Sequence, residues 1–429
     1  MSQAAQESFC CQRRFQMSKA GQTEPGERSL RKTLASGILA LVVAMGIGRF
    51  AYTPILPAMQ ATFGLSNGMS GALASSNYLG YLVGAILAAA VPSARGQTFL
   101  LRASLLVVVL TTCLVAFTTE FWVWMAVRFV AGVASAGVFV FASGAILGVL
   151  ASKDKQKLSG WLYSGVGAGI AISGVLVLAL NKLLPMGYAA GWRADWIGMS
   201  ILATVLLIPC WAWIPRSENE AARPRARPES ITSRARRRVV LTYLLLLSVA
   251  YFLEGTGYIV SGTFLVKIIE ELPGLGGFGT SAWILVGLAA IPSTVLWAWA
   301  ASRAGFVGTL IVAYIVQAIG VVLPVLSGTE WAAALSAILF GGTFMGIVAL
   351  TITYAREVVP SQQAARAIAM LTAAFGVGQV VGPLIATGLA SGPKDFGPSL
   401  VAASSALFVS GLLMVAVGKC EQHLGQAYL

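Results

Sequence analysis

Twelve runs of about 20 apolar residues, separated by short polar breaks, leave this chain very few ways to fold. They lie near 34–57, 69–91, 98–118, 120–148, 160–182, 194–214, 239–265, 280–301, 307–327, 330–355, 366–390 and 398–418. Each is long enough to cross ~30 Å of hydrocarbon as a helix. Barrel strands would alternate apolar and polar residues, whereas these runs are continuously apolar, so helices are expected. Only 10% of the 429 residues are charged and 57% are hydrophobic, against about 25% charged in soluble domains. The bilayer is therefore the solvent, and the expected class is an all-α membrane protein with twelve transmembrane helices.

The net charge of +13 then requires a membrane reading. On the side of the N-terminal tail, tail and loops carry 23 Lys and Arg; the other side carries four, at Lys182, Arg193, Lys267 and Lys394. This asymmetry predicts that both termini are cytoplasmic, with basic loops against anionic headgroups. No polar helix face carries the basic residues, so a nucleic-acid partner is not expected. His423 is the only histidine, and Cys10, Cys11, Cys113, Cys210 and Cys420 have no metal-ligand spacing. That excludes a His/Cys metal centre and a Ser-His or Cys-His catalytic pair in the core, and no cofactor is expected. No phosphate-cradling G-x-x-x-x-G-K-[ST] run occurs, so ATP is not the direct driver. A membrane enzyme would need acid, base or nucleophile groups near an interface, and the loops offer isolated charges.

Residues 1–33 are polar and read as a disordered cytoplasmic tail rather than a cleaved signal peptide. A six-helix bundle is expected over 34–214, a cytoplasmic linker rich in Pro and Arg over 215–238, a second bundle over 239–418 and a tail over 419–429. The halves match in order: GIGRF at 46–50 with GTGYI at 255–259 is offset by 209, Thr119-Glu120-Phe121 with Thr329-Glu330-Trp331 by 210, and Gly165-Val166-Gly167 with Gly376-Val377-Gly378 by 211. Parallel repeats about an axis along the membrane normal place a solute site between the halves, near the midplane.

These residues resemble the major facilitator superfamily over roughly 34–418. Arg128-Phe129-Val130-Ala131-Gly132 looks like its R-x-x-x-G motif in helix 4, and Gly165, Gly167, Gly169 and Gly174 are similar to its Gly-rich helix 5. Helix 11 repeats the theme with Gly376, Gly378, Gln379, Gly382 and Pro383. GIGRFAYTPILP at 46–57 and SNYLGYLVGA at 76–85 resemble the YbfB/YjiJ-type branch. The resemblance implies two pseudo-symmetric six-helix bundles and secondary transport, symport or antiport, in a bacterial inner membrane; a monomer is expected. The loop Pro92-Ser93-Ala94-Arg95-Gly96 departs from the family's G-x-x-x-D-R-x-G-R by lacking the acid, as does Ala301-Ser302-Arg303-Ala304-Gly305.

Charges within a bilayer cost about 2.5–3.5 kcal/mol on insertion scales, so they are functional candidates. Three stand out: Arg49, Arg128 and Glu254. Arg49 lies about 15 residues into helix 1, after Gly46 and Gly48 and before Pro54 and Pro57, which loosen the backbone. It is expected to bind an anionic substrate group bidentately; a structural ion pair, a carbonyl cap or snorkelling to the outer interface are its alternatives. Glu254 reads as the only carboxylate in any span and is the candidate for proton coupling or gating; the alternative is a static partner for Arg49 or Arg128. For Arg128 the resemblance implies proton movement or helix contacts. Asn77, Tyr78, Tyr81, Tyr258 and Gln379 are candidate substrate contacts, with Tyr251, Thr351 and Thr353 weaker. Gly46, Gly48, Gly80, Gly84, Gly165, Gly167, Gly169, Gly376, Gly378, Gly382 and Pro383 are expected in helix packing. Trp122, Trp124, Trp192, Trp196 and Trp331 are expected as interfacial belt anchors. The function expected is alternating-access carriage of a small solute, an organic anion or amphipathic metabolite, coupled to protons. Toxicant efflux and a non-transporting sensor are its competitors.

Overall fold

A computed structural model describes residues 25–184, 188–214, 234–359, 361–390, 392 and 395–426. Twelve of its helices are long and apolar enough to cross a membrane: α1 (Ser29–Phe63), α2 (Asn67–Ala89), α3 (Ala94–Val115), α4 (Phe121–Ser152), α5 (Gln156–Leu183), α6 (Ala190–Trp213), α7 (Val240–Glu271), α8 (Gly279–Ala304), α9 (Phe306–Leu326), α10 (Glu330–Val358), α11 (Arg366–Leu389) and α12 (Gly397–Gln422). These are the twelve apolar runs, with ends that differ where an amphipathic turn extends a span. Helical backbone already begins at Pro25, inside the stretch expected as disordered tail. Leu30 and Thr33 are buried there, so the polar start of α1 has an inward face. The remainder of that tail, 1–24, and positions 215–233 of the expected linker lie outside the described residues. At its far end α7 continues to Glu271, taking Lys267, Glu270 and Glu271 into the helix.

Helices α1–α6 and α7–α12 form two bundles with matching contacts. α2 packs on α4 as α8 packs on α10, and α1 packs on α5 as α7 packs on α11. Between the bundles, α5 meets α8, α2 meets α11, and the last third of α1 meets α7. Packing also corrects the repeat register. A Cβ at Gly46 would lie 2.3 Å from the Gly169 backbone, and one at Gly378 would lie 2.3 Å from the Phe252 carbonyl and close to Gly255. Positions 46/255 and 169/378 both stand 209 apart, so Gly167 corresponds to Gly376 rather than Gly165 to Gly376. Gly167 and Gly376 both face the opposite bundle, toward Ile291 and Leu82 respectively. The starts of α4 and α10, at Phe121 and Glu330, keep the same offset. One constant spacing thus replaces the drift from 209 to 211, because contacts fix the register where short Gly matches do not.

The α2–α4 crossing is the tightest of these. Added Cβ atoms at Gly80 and Gly132 would each stand 2.0 Å from a carbonyl oxygen, of Phe129 and Asn77. Small residues allow such backbone approach in a solvent that gives helices no hydrophobic reason to associate. Gly84 meets Val133, Gly48 meets Val108, Gly165 meets the Ile38 carbonyl and Gly382 meets Ile259. The Pro383 carbonyl accepts from Thr387 and lies against Gly71 of α2.

Three of the tryptophans expected in the interfacial belt are not there. Trp122 and Trp331 are 76% and 86% exposed, but Trp124, Trp192 and Trp196 are at most 1% exposed. Positions 122 and 124 point to opposite sides of one helix, so they cannot share an environment. Trp124 and Trp192 form edge contacts with Phe63, Trp124 Nε1 donates to the Val115 carbonyl at 3.1 Å, and Trp196 Nε1 reaches Met59 Sδ at 3.5 Å. A second correction concerns carboxylates. Asp195 of α6 is 1% exposed, with neither oxygen hydrogen-bonded, so Glu254 is not the only acid within a span.

Candidate functional site

Twelve successive spans put Ser29 and Gln422 on one face, here the termini face. In α1, Val42–Phe50 is π-helical, a wide turn often found at functional sites. Glycines 46 and 48 lie within it, prolines 54 and 57 follow it, and Arg128 of α4 holds it. Its Nη1 donates to the Gly48 carbonyl at 3.1 Å and its Nη2 to the Arg49 carbonyl at 3.2 Å. Arg128 is thus a carbonyl cap behind α1, its guanidinium also 5.0 Å from the Tyr52 ring centre. Asn77 supports the same junction, donating to the Arg128 carbonyl at 2.9 Å.

Fixed this way, Arg49 projects among rings. Its Cζ lies 4.2 Å from the ring centre of Tyr81, 4.8 Å from Tyr78 and 5.4 Å from Phe50. The residue is 2% exposed, yet Nε and Nη2 have no hydrogen-bond partner. These two nitrogens form one edge of the guanidinium, the edge that grips a carboxylate with two parallel bonds. Tyr258, with its hydroxyl, stands 209 positions on, at the repeat-equivalent place in α7, and Phe344 joins its ring to that of Phe50 beside Arg49. Gln379 Nε2 donates to that hydroxyl. The Tyr258 ring runs nearly parallel to Phe375 at 5.4 Å, Phe344 at 5.9 Å and Phe340 at 6.5 Å. Tyr78 closes the far side with a 2.9 Å hydrogen bond to Thr263 of the other bundle. Half-buried Tyr81 continues through Phe139 to Tyr163, toward the termini face.

Arg49, Tyr78, Tyr81, Tyr258 and Gln379 therefore meet in one place between the bundles. Asn77 and Arg128 stand behind it. Glu254 is elsewhere: fully buried in the second bundle, it pairs with Gln317 of α9 rather than with either arginine. With the amide oriented to satisfy both groups, its nitrogen donates to the carboxylate at 2.8 and 3.2 Å. Gln317 escaped sequence reading, although a lone Gln in the apolar run of α9 is a usable signal. Tyr251 stacks on Phe375 at 4.4 Å, and buried Thr351 lies in the same bundle; exposed Thr353 donates back to its own helix at Ala349.

Beyond Tyr78 the far side is sealed across the bundles. Thr53 donates to the Gly262 carbonyl at 2.6 Å, Ser75 to Val380 at 2.7 Å, and Lys267 Nζ to Gln60 Oε1 at 2.6 Å. Lys267 also pairs with Glu271 at 3.3 Å. On the termini side, Thr294 donates to the Gly160 carbonyl at 2.8 Å. Thr53, Thr263, Gln60 and Lys267 carried no recognisable sequence signal, since polar residues near helix ends are common.

A family model described as "Uncharacterised MFS-type transporter YbfB" matches residues 41–415. A gentisate transporter of Corynebacterium glutamicum is 23% identical over 80% of this chain and 78% of its own length. A chloramphenicol resistance protein of Streptomyces lividans is 29% identical over 58% of this chain and 61% of its own. Among solved structures, the nucleoside transporter NupG superposes with a TM-score of 0.68, covering 90% of this chain and 99% of that one at 14% identity. A D-xylose-proton symporter gives 0.69, over 89% and 96% at 14% identity. At such identity these two speak to the fold alone.

Proposed function

We propose, from the premise that the chain belongs to the YbfB-type family of major facilitator transporters, that it carries a small organic anion held by Arg49. The observation that carries this reading is the sealed guanidinium edge, Nε and Nη2, left without a protein partner. A buried cation with unused donors is costly unless something arrives to use them. An arriving carboxylate would supply two charge-assisted bonds. Similarity to a protein named as a gentisate transporter supports an anionic cargo.

The cycle proposed is alternating access by a monomer in a bacterial inner membrane, with the termini face cytoplasmic. The concentration of Lys and Arg in tail and loops on that side supports the orientation. The far-face bonds at Thr53, Ser75, Tyr78 and Lys267 would break as the bundles rock. Glu254 is the proposed proton carrier, because Gln317 can serve it in both charge states. The amide nitrogen donates to the carboxylate, and the amide oxygen can accept from the neutral acid after a half-turn. Asp195 is a second buried acid available to such a role.

A second reading, export of a hydrophobic toxicant, draws on the aromatic column around Tyr258 and on similarity to the chloramphenicol resistance protein. Purified protein in proteoliposomes decides between them. Uptake of carboxylates under an imposed proton gradient, absent in Arg49→Gln, supports the anion reading. Equal transport of neutral amphiphiles by both proteins refutes it.

A further inference from the structure

We infer that the central site takes a hydroxylated aromatic monocarboxylate; this rests on the Arg49 reading and narrows it. Three features of the site converge on that chemistry. The first is charge. Arg49 presents one free fork edge, matched to one carboxylate, while Arg128 behind it is occupied with the Gly48 and Arg49 carbonyls. Lys267 stands at the far-face seal with Gln60 and Glu271. Among the described residues around the site, one free cation suits a monoanion, and a dicarboxylate would bury its second charge unpaired.

The second is shape. The surroundings of Arg49 are aromatic: its guanidinium lies over the rings of Tyr78 and Tyr81 from α2, and Tyr258, Phe340, Phe344 and Phe375 from α7, α10 and α11 form a near-parallel set in the facing bundle. A flat π-system gains offset stacking there beyond its area burial, which a saturated ring of the same size does not.

The third is a spare acceptor. Gln379 is 1% exposed; its Nε2 serves Tyr258, and its Oε1 has no partner. A buried amide oxygen left unpaired is a standing penalty. A hydroxyl on the ligand's ring, donating to Oε1 while its carboxylate sits on Arg49, removes it. Specificity of this kind is strong because the ligand lacking the hydroxyl leaves the acceptor orphaned.

Ligand-induced thermal stabilisation and isothermal titration of the detergent-purified full chain test this with four probes: 4-hydroxybenzoate, benzoate, cyclohexanecarboxylate and phenol. The expected order is 4-hydroxybenzoate over benzoate by about tenfold, the worth of one neutral hydrogen bond to a buried acceptor. Benzoate should exceed cyclohexanecarboxylate by about three- to tenfold, from stacking. Phenol should not bind. In Gln379→Leu the ratio of 4-hydroxybenzoate to benzoate affinity should fall to about one, whatever the absolute affinities. Cyclohexanecarboxylate binding as tightly as benzoate, or a ratio unchanged in Gln379→Leu, overturns the inference while leaving an anion carrier intact. Failure of every carboxylate with retention of phenol overturns the inference and the anion reading together.

Discussion

Arg49→Met offers a test in which a functional and a structural arginine give opposite signs. Holding a guanidinium at this depth costs about 2.5–3.5 kcal/mol on insertion scales. Tyr78 and Tyr81, at 4.8 and 4.2 Å, return up to about 2 kcal/mol each as desolvated cation–π contacts. Those terms nearly cancel. What remains is the pair of unpaired donors, Nε and Nη2, at about 1–3 kcal/mol each. Methionine fills similar space and keeps favourable contact between sulfur and the rings. The empty carrier should therefore become more stable by about 2–6 kcal/mol, less whatever packing the longer side chain supplied. In soluble domains of 150–250 residues 1 kcal/mol moves Tm by about 2–4 °C, so a rise of at least about 2 °C is expected. The assay is a thermal scan in detergent without ligand, repeated with 4-hydroxybenzoate. Arg49→Met should start higher and show no ligand-induced rise; Arg49→Lys, which keeps charge but not the fork, should bind about 10–150-fold more weakly. A ligand-free Tm that falls in Arg49→Met would show that the guanidinium holds the bundle together, and the reasoning fails.

Glu254→Gln should abolish accumulation driven by a proton gradient while sparing exchange; wild type carrying one proton per anion can reach about tenfold per pH unit. Equal accumulation by the two proteins in proteoliposomes would remove Glu254 from coupling and direct attention to Asp195. Arg128→Lys should lower both the ligand-free Tm and affinity, since one ammonium cannot cap the Gly48 and Arg49 carbonyls together; an unchanged affinity would separate the cap from the site. Gly80→Ala drives a Cβ to 2.0 Å from the Phe129 carbonyl and should cost about 1–3 kcal/mol or more. Gly144→Ala on α4, with open space around its Cβ, is the matched control and should leave the melting curve no lower.

The spans, the two-bundle plan and the intramembrane arginines were legible because each rests on a property of single residues in sequence: apolarity over a fixed length, or charge where charge is costly. Arg49 was a candidate for that reason, and Tyr78, Tyr81, Tyr258 and Gln379 were candidates as polar groups in apolar runs; the structure brings them together. Direction around a helix was not legible. Trp122 and Trp124 have the same neighbours in the chain and opposite fates, and a belt argument made from depth alone cannot separate them. Glu254 hid its partner in the same way. Depth placed it beside the arginines, but its azimuth on α7 aims it into its own bundle, at Gln317. Register suffered too, because Gly-x-Gly matches recur every second residue, and only the contacts at Gly46 and Gly378 fix the offset at 209.

That separation of the two charged groups constrains how the proposed coupling could work. Were Glu254 to meet Arg49 directly, protonation would act on the anion site by charge, and any proton carrier within reach would do. Instead the carboxylate sits one helical turn from Tyr258 on α7, and Tyr258 is the residue that joins Gln379 and faces Phe344. A change in how α7 packs on α9 as Glu254 gains or loses its charge-assisted bonds to Gln317 would turn or shift Tyr258 within its stack. Tyr251, about a turn before Glu254 and stacked on Phe375, would move with it. Communication by this route is mechanical, through one helix, and differs from direct charge coupling in a measurable way. Gln317→Leu leaves every group of the anion site in place, so affinity for 4-hydroxybenzoate at a fixed pH should change little, within about threefold, while its dependence on pH flattens. A pH dependence of binding identical to wild type in Gln317→Leu would mean that the amide is not the partner through which α7 senses the proton.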